Sequence, residues 1–253
     1  LASLNVTSSA FSNNSAIGND GFLMDASGTA SMTVSVTNST FAAHRGDHFQ
    51  AAAANFGVLD VVFSNNGLSG GHATALGQGI TISAATGLPG YGGTVDYNID
   101  NNTINGSILS AITANLGTSA DAEMRGTISG NTIGTVGSFQ SGSTQASGIT
   151  VESHGNGTHT TLITNNIIRQ TFDRGINVLA NDGNGYMNMT VTNNEASHSD
   201  GTNSREGFFI NNGSANPNIF GSADSHFVCL SLTGNTLTHG PGAPDDFRLR
   251  QRF

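Results

Sequence analysis

The chain has 253 residues, enough for one large core or two ordinary domains. Only 10% of them are charged and the formal net charge is −9, which excludes the highly charged profile of a disordered chain and argues against nucleic acid or an anionic membrane as partner. No run approaches the ~18–20 apolar residues of a bilayer span, so membrane insertion is not expected.

The chain opens on "LASLNVTSSAF", without an initiator Met or an apolar leader, so a secretion signal has been removed or the chain is one piece of something longer. Within it "NVTSSAF" (5–11) is a weak first copy of a motif that then returns along the chain. The copies are "SVTNSTF" (35–41), "VFSNNGL" (62–68), "NIDNNTI" (98–104), "TISGNTI" (127–133), "LITNNII" (162–168), "TVTNNEA" (190–196) and "SLTGNTL" (231–237). Each reads apolar, polar, Asn or Gly, Asn, any residue, apolar. The second polar position is Ser9, Ser39, Asn66, Asn102, Asn131, Asn166, Asn194 and Asn235, at spacings of 30, 27, 36, 29, 35, 28 and 41. Such a recurrence is the mark of a repeat architecture.

Alternation before each pair predicts a strand with one buried face. The inward position before the pair is Val6, Val36, Phe63, Ile99, Ile128, Ile163, Val191 and Leu232; two residues after it come Phe11, Phe41, Leu68, Ile104, Ile133, Ile168, Ala196 and Leu237. Between them the chain must turn sharply, and Asn tolerates the left-handed conformation that such a turn demands. At the ~4.8 Å strand spacing, equivalent amides from Asn66 to Asn235 can bond one another in a ladder.

A second strand follows in each cycle: "DGFLMDA" (20–26), "DHFQAAA" (47–53), "QGITISA" (78–84), "SGITVES" (147–153), "RGINVLA" (174–180) and "EGFFINN" (206–212), with "LSAITAN" (109–115) and "DDFRLRQ" (245–251) as variants. With a third short arc, each cycle returns to its start. No useful helical periodicity occurs. The expected fold is all-β: one domain over residues 1–253, a right-handed parallel β-helix of about eight coils with Asn-ladder turns. A pair of sandwiches is the rival, but it does not explain the recurring Asn pair. These residues resemble the right-handed parallel β-helix family, the pectate-lyase-like solenoids of secreted bacterial proteins.

That resemblance implies either a structural or adhesive segment or a carbohydrate-active enzyme or sugar-binding module, and fold alone does not choose. Pectate-lyase relatives imply clustered acids holding calcium and an Arg or Lys base. This chain has no Lys, its acids are scattered, and no outward column of acids is expected at one slot. Polygalacturonase relatives imply an Asp pair before a Gly-His segment, whereas here "GGH" (70–72) precedes "PDD" (244–246). No catalytic site is identified. The favoured function is a structural or adhesive segment of a secreted or surface-exposed bacterial protein, extracellular or at the cell surface. Carbohydrate or other surface proteins are the expected partners.

Several residues carry paired readings. Arg45-Gly46-Asp47 is either an adhesion tripeptide or a turn at a strand entrance, and Asp47 falls in the slot of Asp20, Gln78, Arg174 and Glu206, which favours the turn. His44, His48 and His72 are either exposed loop histidines or ligands of a weakly bound Zn²⁺ or Ni²⁺, the only cofactor expected. His198 and His239 are expected to stack, His154 and His159 to be loop polar groups, and Cys229 to be a buried inert thiol. Sequons such as Asn5, Asn38, Asn101 and Asn212 follow from the turn chemistry alone. A ligand is expected beside the longer arcs 69–79, 134–147, 197–206 and 211–226. The strand "DDFRLRQRF" presents Phe247, Leu249 and Phe253 on one side and Arg248, Arg250 and Arg252 on the other, so end-to-end self-association or further sequence is expected there.

Overall fold

A computed structural model describes residues 2–12, 18–71, 76–84, 92–118, 122–197, 205–213, 226–242 and 245–252. The described strands come in threes. They begin with β1 (Ala2–Thr7), β2 (Ala10–Ser12), β3 (Leu23–Ala26), β4 (Ser31–Thr37), β5 (Thr40–Ala42) and β6 (Phe49–Ala53). Next are β7 (Val58–Ser64), β8 (Gly67–Ser69), β9 (Ile80–Ala84), β10 (Thr94–Asp100), β11 (Thr103–Asn105) and β12 (Ile112–Leu116). Then follow β13 (Glu123–Ser129), β14 (Thr132–Ile133), β15 (Ile149–His154), β16 (Thr158–Thr164), β17 (Ile167–Arg169) and β18 (Ile176–Asn181). The last are β19 (Tyr186–Thr192), β20 (Glu195–Ser197), β21 (Phe208–Asn212), β22 (Phe227–Thr233), β23 (Thr236–Leu237) and β24 (Phe247–Gln251).

The first, second and third members of each triple form three parallel sheets of eight strands, here called A, B and C. The chain is therefore an all-β parallel solenoid, and the described residues include no helix. Every strand but those at the sheet ends pairs with its counterparts one cycle before and after, so like residues stack on like. Val36, Phe63, Ile99, Ile128, Ile163 and Val191 lie in register inside sheet A. Phe41, Leu68, Ile104, Ile133 and Ile168 do so in sheet B, and Phe49, Ile80, Ile112, Ile149, Ile176 and Phe208 in sheet C. All are buried, and each such side chain contributes about 1.5–3 kcal/mol on leaving water.

The bend from sheet A to sheet B depends on the Asn motif. Its first residue is left-handed in every copy: Ser8, Asn38, Asn65, Asn101, Gly130, Asn165, Asn193 and Gly234, with φ between 50° and 67°. Its second residue points inward and links coils. Asn131 donates its backbone N–H to Asn166 Oδ1 at 3.0 Å and its side-chain amide to Ile99 O and to Asn166 Oδ1. Its own Oδ1 accepts from the backbone and side-chain amides of Asn102, both at 2.9 Å. The backbone bond repeats from Ser39 to Asn66, Asn66 to Asn102, Asn166 to Asn194 and Asn194 to Asn235. The ladder is continuous.

Sheet A departs from sequence expectation at two residues. Cys229 faces outward on β22 and is exposed, not buried. His159 is no loop group: it points into the core from β16, fully buried, and shares a polar cluster with Tyr97 and Thr161. His154 likewise belongs to a strand, the end of β15.

Candidate functional site

The outer face of sheet C carries a row of residues in register: Thr81, Thr113, Thr150 and Asn177. Alternation sends them away from the core, yet all four are less than one-tenth exposed. The turns leading into these strands explain this, since they stack into a wall beside the sheet. Ser107, Ser143 and Thr171 form parallel bridges there, Gln145 N–H donates to Ile108 O and Asp173 N–H to Ala146 O. The result is a groove of about 320 Å³, within the range of small-molecule sites. It lies against the arcs 69–79 and 134–147 through Gln78, Gln145 and Ser147.

Most of its lining residues are polar, with Leu109 and Ala146 among them. Thr113 donates to Gln78 Oε1, and the hydroxyls of Ser110 and Thr150 meet at 2.9 Å. The Oδ1 atoms of Asn115 and Asn177 are buried without a partner. An acceptor left so costs about 1–3 kcal/mol unless something donates to it. The site is built to receive hydroxyl or amide protons.

Two carboxylates reach the groove, Glu152 and Asp173. Asp173 binds Arg174 at 2.7 Å and Arg205 at 3.5 Å; burial raises its pKa, with the two guanidiniums pulling the other way. Glu152 lies 3.6 Å from His154, which also meets Asp182 at 3.1 Å. The bond to Glu152 is the main reason that His154 titrates above its ordinary value. Glu152 is in register with Leu179, three residues past the start of β18, and Asp173 lies in the turn before that strand, so the strand alone separates the acids by about 10 Å along its direction. That exceeds the ~6.5–9.5 Å at which a carboxyl pair brackets a glycosidic bond and a water.

Beyond Asn177 the row continues to Phe209 and Arg248. Arg174 lies over the Phe209 ring at 4.1 Å and Arg250 at 5.2 Å. Glu206 beneath them is 1% exposed and bonds Arg174 at 3.0 Å and Arg248 at 3.4 Å. Burial is the largest influence and pushes its pKa up, but its backbone bond and the two guanidiniums together hold it below the usual range.

At the opposite end stands the strand-entrance slot of the Arg-Gly-Asp tripeptide. Asp47 N–H donates to Asp20 Oδ1 at 2.8 Å, and Asp47 Oδ1 accepts from Gln78 N–H at 2.7 Å. Asp47 Oδ2 accepts a hydrogen bond from the Thr81 hydroxyl. Both oxygens are thus engaged inside the protein, and burial raises the pKa against these bonds. Asp47 is a turn residue, as its slot implied.

The structure brings His44 and His48 together: both are buried, not exposed, with their Nδ1 atoms 2.8 Å apart. His72, the third expected ligand, lies outside the described residues, as does His198. His239 meets Asp246 at 2.7 Å. Among the described residues no three metal-ligating side chains form a group.

The outer face of sheet A overturns one expectation. Asp60 and Asp96 stand in register at one outward slot, followed by Arg125. They line an open trough of about 690 Å³ with Asn98, Thr160 and Asn188. Arg125 grips Asp96 with two nitrogens at 2.8 and 2.9 Å. That bond, then the charges of Asp96, Glu123 and Asp60, raises its pKa and opposes any role as a base.

Comparison with protein-family models, curated proteins and solved structures finds no match to this chain. Function must be argued from the molecule itself.

Proposed function

We propose that the chain is a binding segment of the structural or adhesive kind, exposed outside the cell or at its surface, that holds an extended, hydroxyl-rich carbohydrate in the sheet C groove without cleaving it. The buried outward row Thr81, Thr113, Thr150 and Asn177, with unpartnered oxygens on Asn115 and Asn177, carries this reading. Asn115 and Asn177 lie on β12 and β18, two strand spacings or about 9.6 Å apart across the sheet. Asn115 is in register with Leu179, two residues or about 6.6 Å further along the strand than Asn177, so a ligand that donates to both must cross the strands obliquely. Binding is favoured over cleavage because Glu152 and Asp173 are far apart and each pairs with a basic side chain.

Titration calorimetry against neutral gluco-, manno-, xylo- and N-acetylglucosamine oligosaccharides tests the reading. Binding by at least one series is expected, with about tenfold weaker affinity in Asn177→Ala, or about 1.4 kcal/mol, and no shortening of the ligand. Absence of binding across all four series overturns the proposal, and release of shorter products replaces it with the enzymatic alternative.

A further inference from the structure

The turn between β5 and β6 holds a buried pair that ligand binding leaves unused. His44 and His48 are 2% and 1% exposed, and their rings meet edge to face with centroids 5.0 Å apart. Two neutral imidazoles can join their Nδ1 atoms in only one way, one donating its proton and the other accepting. A proton added to the accepting Nδ1 sets N–H against N–H, and protonation of both rings places like charges in contact.

The surroundings offer that charge little. Phe41 lies edge-on to His44, and a Cβ on Gly21 would fall 2.5 Å from His44 Cε1. His48 Nε2 is buried without a partner. Asp20, on the preceding coil, is the carboxylate acting on His44; Arg45 and Asp47 are the charged groups of the turn itself, and the following coil presents uncharged Gln78. Burial lowers the His44 pKa against the pull of Asp20. Burial and then the neighbouring His44 lower that of His48 to about 4.

The same turn is tied to the groove. His48 N–H donates to Gln78 O at 3.1 Å, and Asp47 binds both Gln78 and Thr81. Gln78 in turn accepts from Thr113. Gln78, Thr81 and Thr113 all line the groove.

We propose that the His44–His48 pair is an acid-labile latch holding the Gln78 end of the groove in shape. The latch rests on the geometry of the pair; its effect on a ligand rests on reading the groove as a binding site. An opened turn restores the ordinary His value of 6.5, so between 6.5 and about 4 it binds more protons than the closed turn. The closed turn is fully favoured above that window and loses ground as the pH falls through it.

The test is NMR of the ligand-free chain from about pH 7.5 to about pH 4, following the His44 and His48 rings and the amides of Gln78, Thr81 and Thr113. Expected is a local shift of these amides in step with His48, ahead of any loss of far-UV circular dichroism, and absent in both His44→Gln and His48→Asn. Amides that stay still, that move equally in both variants, or that move only with global unfolding overturn the latch. In a separate arm, oligosaccharide affinity is expected to fall about tenfold over the window in the wild type, the scale of one hydrogen bond to a charged group, and to hold in the variants. Amide shifts without oligosaccharide binding would sink the groove reading and leave the latch standing. Affinity that stays level over the window in the wild type would remove the effect on ligand.

Discussion

A single Asn of the ladder touches three coils, so its deletion is felt on both sides. In Asn131→Ala the carbonyl of Ile99 loses a donor, the Asn102 backbone N–H loses its acceptor, and the Asn102 side-chain amide keeps only Phe63 O. The left-handed turn before it survives, because Gly130 supplies that conformation at φ 63°. Urea unfolding of Asn131→Ala or Asn166→Ala is therefore expected to show a loss of about 1–3 kcal/mol, the range for orphaned buried polar groups. Midpoints unchanged in both variants would mean that the ladder adds nothing. The motif was legible because chemistry and geometry coincide at one spot: a turn that needs positive φ, followed by an amide that can reach both neighbours. Counting back from each ladder residue would also have placed others. Positions three, five and seven before it face inward and positions two, four and six outward, which puts His159 inside and Cys229 outside. The sixth position yields Asp60, Asp96 and Arg125 in succession, the outward row that a search for clustered acids overlooked.

On the scale of the strand, sheet A is locked by an unusual inward pair. Tyr97 occupies an inward slot of β10, and the residue opposite on β13 is Gly126. The Tyr97 ring lies where a Cβ on Gly126 would be 2.4 Å from three of its carbons. Its hydroxyl then reaches Thr161 at 2.7 Å on β16, so one side chain spans the intervening strand. Burial pushes the phenol above its ordinary range, against the Thr161 bond, and keeps it neutral. Gly126→Ala is expected to destabilise by about 1–3 kcal/mol, the cost of overpacking. Combined with Tyr97→Leu the penalty should largely vanish, since neighbours in contact are not additive. Chemical denaturation of the four-member cycle checks it, and strict additivity would refute the lock. Strand alternation sorted inward from outward residues, and the entrance slots placed Asp47. The groove was less legible. Periodicity shows that Thr81, Thr113 and Thr150 leave the core, but not how high the neighbouring turns rise. That wall depends on turn-to-turn pairing through Ser107, Ser143 and Thr171, which carries no alternation signal. The burial of His44 and His48 escaped for the same reason.

The whole molecule is a column in which each coil packs mainly on its neighbours, the Tyr97 reach across β13 being an exception, so stability is largely a sum of coil and interface terms rather than one shared core. The described burial follows that logic. Strand β10 alternates intermediate and buried residues throughout and β16 buries three of its seven, whereas β1 is exposed at five of its six residues and β22 buries none. An aromatic stack fills the early coils, with Phe41 and Phe49 within 5.5 and 4.5 Å of Phe63. Aliphatic columns take over from there. Amide exchange in the 253-residue chain should therefore be graded along the column, slowest in β7, β10 and β16 and fastest in β1 and β22, because local opening tracks local burial. Phe63→Ala, which removes the ring that Phe41 and Phe49 share, is expected to cost about 3–5 kcal/mol. Its effect on exchange should be largest in the coils of β4, β7 and β10 and should fade within a coil or two, since coupling runs through nearest neighbours. Exchange mapped by mass spectrometry decides between this and a single cooperative unit. Uniform protection along the column, or a Phe63→Ala variant that speeds β19 as much as β7, would show that the coils unfold together.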